Sequence, residues 1–380
     1  MRHVSIVGTG QLPIEKQSAA RLRELGVRAT RLAMQDAGVD RVDALFAGNM
    51  LSDELQGQKH VATLIASEAG LHGIEALQVR AATATGAAAL RMAYFAVASG
   101  EAELAVAVGV EKMSTAPPTG PMAKSLDAER EVPAGATLIS QNAGLMNTYL
   151  ERYGVAYERF VNFALNAHRN AMTNPYALFR KAVTPEKVLE SRVVNAPIRL
   201  FDCSPICDGA AAVVLAPTNA ARAFTDHPVQ VLASAVAIDW LRVDDRPDPL
   251  AAEAARLSAR KAYERAGITP DDVDFFEVHD AFSIMACLLL EAAGFAEQGE
   301  GWRLAADGET FREGRLPIAT LGGLKARGHP IGATALYQTC EIVQQLTGRA
   351  GPNQLPDPQV AMLQSVGGAA ATVLTHLFGV

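Results

Sequence analysis

Two histidines occupy positions at which an imidazole could take part in proton transfer. His329 lies between Gly328 and Pro330 in a glycine-rich stretch just before a helix, and His279 directly follows a buried strand. An imidazole gains and loses a proton near neutral pH, so both side chains suit general acid–base catalysis. A structural histidine is the alternative for each. The setting of His329 between glycine and proline is a poor choice for packing alone, so a functional role and a structural turn both stay open there.

Backbone amides could supply an anion site near these histidines. The stretch Ala81–Gly86 leads into a helix that is apolar nearly all round, with Arg91 as its only charge. The first N–H groups of such a helix are free to bind an anion or a developing oxyanion. A plain helix cap by Thr83 or Thr85 is the alternative. The glycine pair 367–368, after the last predicted strand, could present further N–H donors.

The elements that must position these groups are short apolar strands alternating with longer alanine-rich helices. Such alternation is typical of an α/β sheet covered by helices on both sides. The pattern predicts strands at residues 4–7, 44–46, 77–80, 104–110, 229–238, 275–278 and 360–363. It predicts helices at residues 21–37, 58–69, 86–98, 139–153, 157–171, 251–266, 283–293 and 337–346.

The same order of elements occurs twice along the chain. Gly86–Leu90 matches Gly332–Leu336 at an offset of 246 residues, and this offset also aligns Thr83 with His329. An internal duplication is the simplest explanation, with chance similarity between alanine-rich helices as the alternative. Elements related in this way can meet at the centre of the molecule, so we expect the candidate residues to line one pocket.

The duplication divides the chain into two halves, residues 1–225 and 226–380. Residues 113–200 interrupt the first half with several prolines and a charged stretch at 127–131. Long insertions in α/β domains commonly form lids or binding surfaces, so we expect this segment to shape a ligand site.

Composition narrows the classes of partner. The 380 residues include 41 acidic and 34 Lys or Arg residues, a net charge of −7 without any basic run, which argues against nucleic-acid binding. Four cysteines are too few for a disulfide scaffold and indicate a reducing compartment. The spacing of Cys203 and Cys207 lacks companion ligands, so no metal site is expected. Without a signal-like start or an apolar run of about 20 residues, the expectation is a soluble cytoplasmic protein with no membrane partner.

Several motifs together resemble the thiolase superfamily, in particular the sterol-carrier-type and archaeal thiolases, over essentially the whole chain. The motifs are Gly86–Leu90, Val108–Met113, Ser204–Ala212, His279–Phe282, the block Gly322–Gly332 with Thr334, and Gly367-Gly368. The resemblance implies a thiolase fold, in which two duplicated βαβαβαββ halves form five αβαβα layers and an insertion loop domain covers coenzyme A. It implies an acetyl-CoA acetyltransferase-like enzyme with acyl-CoA as substrate and no covalently bound cofactor.

The resemblance also implies roles for four residues. Thiolases acylate a cysteine at the helix start, and a histidine that matches His329 activates it. A histidine that matches His279 helps to hold the thioester oxygen. Backbone N–H groups at Thr83 and Gly367 would form an oxyanion hole. The family further implies a homodimer or homotetramer, and archaeal-type thiolases are found beside a small OB-fold partner.

Both cysteines of thiolase chemistry are absent from the motifs. Thr83 stands where the family has its nucleophilic cysteine. One family branch has its second cysteine at the position of Ala281 and the other at the position of Ser365, so neither cysteine is present here. We take Thr83 as the natural residue, because both cysteine roles are absent together. A threonine hydroxyl is far less nucleophilic than a thiolate at neutral pH.

Three functions therefore remain open. The first is an acyltransferase-family enzyme that makes or breaks a C–C bond next to a CoA thioester without an acyl-cysteine. The second is a retro-aldol lyase acting on a β-hydroxyacyl-CoA, with His279, His329 and, more weakly, Tyr337 as its acid–base groups. The third is a non-catalytic CoA-binding subunit with an OB-fold partner. Retention of both histidines speaks against the third.

Overall fold

The computed structural model describes residues 1–380 throughout. The strands are β1 (Val4–Gln11), β2 (Ala44–Gly48), β3 (Glu75–Val79), β4 (Ala105–Lys112), β5 (Val193–Asn195), β6 (Ile198–Arg199), β7 (Asp208–Pro217), β8 (Val229–Ile238), β9 (Phe275–Glu277), β10 (Val360–Gly367) and β11 (Thr372–Gly379). The helices are α1 (Leu22–Asp36), α2 (Ser52–Leu55), α3 (Val61–Ala69), α4 (Thr85–Ser99), α5 (Thr119–Ala123), α6 (Leu138–Tyr153), α7 (Val161–Ala171), α8 (Pro185–Leu189), α9 (Glu253–Ala266), α10 (Ser283–Ala292), α11 (Gly301–Ala306) and α12 (Thr334–Leu346).

Nine strands form one ladder in the order β3-β2-β4-β7-β1-β8-β11-β10-β9. The three strands β3, β2 and β4 are parallel, as are β9 and β10, and the remaining neighbours are antiparallel. The ladder consists of two half-sheets, which join only where Ser5 and Ile6 of β1 pair with Gln230 and Val229 of β8. Each half therefore contains a parallel core with antiparallel strands beside it, and the second half has one strand fewer.

The two half-sheets enclose α4 and α12. Alternate residues of a strand face opposite sides of its sheet, so Phe46 faces the central helices while Leu45 faces α1 and α3 on the outside. In the second half, Phe275 faces the central layer and Phe276 faces α9 and α10. The layers are therefore helix, sheet, helix, sheet, helix, which confirms the five-layer α/β fold and the two predicted central helices.

The chain between β4 and β7 forms the insertion, with helices α5–α8 and the β5–β6 hairpin. Its α7 carries asparagines at every fourth position, so their side chains share one face of the helix. Asn162, Asn166 and Asn170 of α7 donate hydrogen bonds to backbone carbonyls between residues 305 and 319. Asn174, three residues beyond the end of α7, donates to the Leu321 carbonyl. The insertion thereby fixes the loop that leads directly into the His329 block.

Two long buried strands lie where the sequence analysis predicted no element. Strand β7 begins Asp-Gly-Ala-Ala-Ala, a run with little strand preference, and pairing on both sides with β4 and β1 overrides that weak local signal. Strand β11 follows the glycine pair and pairs with β10 and β8. None of the helices is both long enough and apolar enough to cross a bilayer.

Candidate active site

Thr83, His279 and His329 line one cavity of about 800 Å³, although 246 residues separate the first from the last. They come from the turn before α4, the end of β9 and the turn before α12. The cavity lies where helix starts and strand ends of both halves meet, as in other open α/β sheets. Ala281 lies in its wall, whereas Ser365 is fully buried outside it.

The His329 ring is held in one orientation by its own turn. Its backbone N–H donates to Cys207 Sγ at 3.2 Å, and its Nδ1 lies 2.6 Å from Thr334 Oγ1. The Thr334 hydroxyl donates to the Pro330 carbonyl, so its oxygen accepts the Nδ1 hydrogen. This series of hydrogen bonds places the ring hydrogen on Nδ1 and leaves Nε2 unprotonated. Burial, with His279 and Arg327 nearby, lowers the pKa of His329 well below its usual value, so the ring stays neutral and can act as a base.

His279 meets His329 edge-on, with ring centroids 5.2 Å apart and ring planes at 88°. Its Nδ1 has no partner within the protein. Burial and the Arg327 guanidinium lower the pKa of His279 to about 3, so this ring is also neutral at physiological pH. Two neutral imidazoles of this kind can accept and donate protons without holding a fixed charge in the cavity.

Buried polar groups whose contacts the sequence analysis did not predict hold these turns in place. Gln338 of α12 donates to the Glu277 and Val278 carbonyls immediately before His279. The Asp280 carboxylate accepts a 2.7 Å hydrogen bond from the Leu324 amide, which joins the two histidine loops. The spacing of Gln338, one turn into the second central helix, is a signal only once the duplication has been recognised.

Glu111 anchors the turn after His329. Its fully buried carboxylate accepts N–H groups from Met50, Leu51 and Gly332, and burial raises its pKa to about 7. The turn fits tightly, because a Cβ on Gly109 would lie 2.3 Å from the Gly332 carbonyl oxygen. Glu111 lies within the motif Val108–Met113, so the sequence indicated its importance but not its contacts.

Thr83 uses its hydroxyl group structurally. The hydroxyl donates a 2.5 Å hydrogen bond to the Val366 carbonyl, and no hydrogen bond joins it to either histidine. The hydroxyl proton therefore points towards the backbone of β10 rather than towards a base. A nucleophile needs a base within hydrogen-bond reach of its proton, and Thr83 does not meet that condition here.

Two backbone N–H groups at the cavity remain free. Neither the Thr83 amide nor the Gly368 amide donates a hydrogen bond within the protein. Two unpaired amides at one cavity are candidates to hold an anion or a developing oxyanion. The sequence analysis named Gly367, but Gly367 forms the last rung of the β10–β11 ladder with Thr372 and does not line the cavity. Gly368 turns out of the strand at φ +67° and does.

Tyr337, the weaker acid–base candidate, lies outside the cavity. Its hydroxyl donates to the Leu12 carbonyl at 2.7 Å and accepts the Ala210 N–H at 3.0 Å. The side chain is fully buried and both of its hydrogen-bonding roles are occupied. Tyr337 therefore ties α12 to strands β1 and β7 and is not a site residue, which corrects the sequence-based assignment.

A second, larger cavity of about 1300 Å³ adjoins the first. Cys203, Ser204 and Pro205 line both cavities and form their common wall. The second cavity is lined by the cationic side chains Arg180, Lys181, Lys187 and Lys325, with His168 and Phe179 stacked at 6.0 Å. This groove suits an anionic ligand. The residues that it shares with the first cavity border the space that contains the two histidines.

A buried histidine away from the cavity gives a prediction about acid stability. His376 of β11 faces the central helices, and burial with the Arg91 guanidinium nearby lowers its pKa to about 3. Below about pH 6.5 the unfolded chain binds a proton at this histidine, whereas the folded chain does so only near pH 3. The folded protein therefore loses stability as the pH falls from about 6.5 to about 3.

His376→Leu should therefore reduce the loss of unfolding free energy between pH 7 and pH 5 by about 2 kcal/mol. Urea unfolding at the two pH values measures this difference. His376→Gln, which also does not titrate, should show the same flattening. An unchanged pH dependence in both variants would contradict the assignment.

Comparison with known proteins agrees with this architecture. Residues 4–197 match the family model of the thiolase N-terminal domain, and residues 235–380 match that of the thiolase C-terminal domain. The chain is 42% identical to an acetyl-CoA acetyltransferase of Methanothermobacter thermautotrophicus, with 100% of both chains covered. It is 31% identical to human sterol carrier protein 2, covering 99% of this chain and 72% of that protein.

Solved structures give the same fold. The Ltp2-ChsH2(DUF35) aldolase matches with a TM-score of 0.86 at 24% identity, covering 99% of this chain and 97% of the other. A monomeric SCP2-thiolase-like protein of Mycobacterium smegmatis matches with a TM-score of 0.76 at 18% identity, covering 99% and 76%. The chain belongs to the thiolase family.

Proposed function

We propose that this protein is an enzyme that makes or breaks a C–C bond next to a CoA thioester without forming an acyl-cysteine. The observation that carries the proposal is the pair of free amides at Thr83 and Gly368 in one cavity with two neutral histidines. Such donors stabilise an oxygen on which negative charge develops, and a neutral imidazole can move the proton that the reaction requires.

The basic groove supports a CoA ligand. Arg180, Lys181 and Lys187 would face the phosphates of CoA, and Lys325 lies deeper in the same groove. Because Cys203–Pro205 border both cavities, the thioester end of the ligand would reach the histidines while its phosphates stay in the groove. The acyl group would then occupy the first cavity, whose wall is largely apolar.

The route through a covalent intermediate is poorly supported. Thr83 donates its hydroxyl proton to Val366, and Ala281 provides no second proton-transfer group. All four cysteines are free thiols, and three of them are fully buried. Burial raises the pKa of the fourth, Cys203, to about 11, so it is a poor thiolate at neutral pH.

A retro-aldol cleavage of a β-hydroxyacyl-CoA is the second candidate, and the same residues favour it. Nε2 of His329 would take the proton of the β-hydroxyl group. The Cα–Cβ bond would then break as Cβ becomes a carbonyl carbon. The electron pair would pass to the thioester as an enolate, whose oxygen the Thr83 and Gly368 amides would hold. Return of the proton to Cα would complete a shorter acyl-CoA, with no acyl-enzyme at any stage.

We also propose a homodimer and a cytoplasmic location. Strand β3 is an edge strand paired only with β2, and Leu77 on it is 50% exposed, so this edge is free to pair with a second copy. Free thiols suit a reducing cytoplasm. A sedimentation coefficient of a monomer, unchanged by Leu77→Lys, would contradict the dimer.

A small OB-fold protein is the further partner that we propose. The similar aldolase structure is named for two components, Ltp2 and ChsH2(DUF35). In this chain Ile238, Trp240 and Leu241 are 72%, 61% and 49% exposed, an unusual run of apolar surface. The Asp239 N–H donates to the Ala371 carbonyl, so the run lies beside the turn that carries Gly368.

The decisive experiment incubates the protein separately with a β-hydroxyacyl-CoA and with acetoacetyl-CoA plus CoA. We expect a carbonyl product and a shorter acyl-CoA from the first, negligible thiolysis of the second, and no mass added to the protein. Chromatography of the CoA esters and intact mass measure these outcomes. Tyr337→Phe, outside the cavity, serves as the control that should keep the activity of the folded protein. Rapid thiolysis with an acyl group on Thr83 would contradict the proposal.

A further inference from the structure

The first cavity has an apolar end that the proposed chemistry does not use. Met122 of α5, Ile139 of α6 and Phe282, just before α10, line this end, and each of these side chains is only half-buried. None of the three lines the second cavity, so the apolar end lies away from the border that the two cavities share. Apolar side chains that remain open to a cavity form a surface that a ligand can cover.

Both halves of the molecule contribute to the apolar end. Met122 and Ala82 pack against the same cluster of buried side chains, so the α5 side begins beside the turn that carries Thr83. Phe282 packs against the core of the second half, to which Met285 belongs. An acyl chain whose thioester lies at Thr83 could therefore extend between these two apolar clusters.

Charge and size both restrict what could occupy the apolar end. No charged side chain lines the first cavity, whereas arginine and lysine side chains line the second. A carboxylate at the end of an acyl chain would therefore lose its hydration here without meeting a cation. A butyryl group reaches only about 4 Å beyond its carbonyl carbon, the length of three C–C bonds of about 1.5 Å. It would leave most of a cavity of about 800 Å³ unfilled.

We propose that the acyl group of the substrate is an uncharged apolar chain considerably longer than four carbons, and that Met122 and Ile139 limit the length that fits. This inference rests on the proposed action on CoA thioesters, which places the acyl group in this cavity. In the cleavage described above, the part of the chain beyond Cβ would occupy the apolar end and leave as an apolar carbonyl compound. The flexible thioether of Met122 can adapt to chains of different shape.

The test compares the dissociation constants of butyryl-CoA, octanoyl-CoA and suberyl-CoA by calorimetry. None of these esters carries the β-hydroxyl group that the proposed cleavage requires, so the wild-type protein can be used. We expect octanoyl-CoA to bind at least about tenfold more tightly than butyryl-CoA, because each methylene group that the apolar wall covers contributes about fourfold. Suberyl-CoA has the chain length of octanoyl-CoA but ends in a carboxylate, so it should lose most of that gain.

Two variants test whether the apolar end is the source of the preference. Ile139→Trp should fill this space and reduce the preference for octanoyl-CoA to within about threefold, while the affinity for butyryl-CoA changes little. Met122→Trp fills the same space from a different helix and serves if the first variant does not fold. Val193→Trp is the matched control, because it adds the same ring to an exposed side chain of the insertion that lines neither cavity. The full preference should persist in it.

Equal binding of octanoyl-CoA and butyryl-CoA by the wild type would overturn the inference, and so would a preference that persists in the folded cavity variants. Binding of suberyl-CoA as tight as that of octanoyl-CoA would also overturn it, because the chain would then end in solvent or at a cation. Failure of all three esters and of CoA to bind would instead contradict the proposed function itself, and the inference with it.

Discussion

His329→Gln is expected to lower turnover of a β-hydroxyacyl-CoA by about 10²- to 10⁴-fold, the usual contribution of a positioned general base. The Thr334 hydroxyl accepts the Nδ1 hydrogen, so Nε2 is the unprotonated nitrogen of the ring, while the Cys207 thiol accepts the backbone N–H of the same residue. Glutamine can still form hydrogen bonds but cannot take up a proton. Initial rates of carbonyl release measure the effect, while the affinity for CoA, which depends on the second cavity, should change little.

The pH profile separates a catalytic role from a structural one. Burial keeps the pKa of His329 well below its ordinary value, so the base form should persist and the wild-type rate should not fall between pH 7 and pH 6 through this group. A histidine with an ordinary pKa would lose most of its activity below about pH 6.5. Retention of more than a tenth of the wild-type rate by a folded His329→Gln variant would contradict the assignment.

The sequence predicted the fold well where local pattern and burial agree. Helices α4 and α12 are apolar nearly all round and repeat at a fixed offset, and their central position follows from both features. Strand β7 escaped prediction because its first half is alanine and glycine, whose strand state depends on pairing with β4 and β1. Local propensity does not contain that tertiary contribution.

The sequence predicted which turns line the site, but it did not predict the exact residues and hydrogen bonds within those turns. The strand-end and helix-start positions brought Thr83, His279 and His329 into one cavity. The step from Gly367 to Gly368 depends on where the β10–β11 ladder ends, which only the pairing register defines. The role of Tyr337 depends on a long-range neighbour, the Leu12 carbonyl just after β1, which no local sequence pattern indicates.

Thr83→Cys is expected to convert the protein into one that an acyl-CoA acylates. The introduced thiol would lie just before α4, where the helix dipole favours a thiolate, and beside the two imidazoles that line the same cavity. The free amides of residue 83 and Gly368 would hold the oxyanion of the tetrahedral intermediate. Loss of the hydrogen bond to Val366 should cost about 1 kcal/mol of stability, which a folded domain tolerates.

Intact mass after incubation with acetyl-CoA should show one added acetyl group in Thr83→Cys and none in the wild type. Thr83→Ser is the matched control, because it keeps a hydroxyl able to reach Val366 and offers no sulfur, and it should stay unmodified. Full thiolysis should not return, since the second proton-transfer cysteine is still missing at Ala281 and Ser365. If the thiol variant binds CoA but remains unacylated, the amides and histidines are not aligned for acyl transfer. If the wild type itself carries acetyl on Thr83, a threonine is nucleophilic enough here and the proposed non-covalent route is wrong.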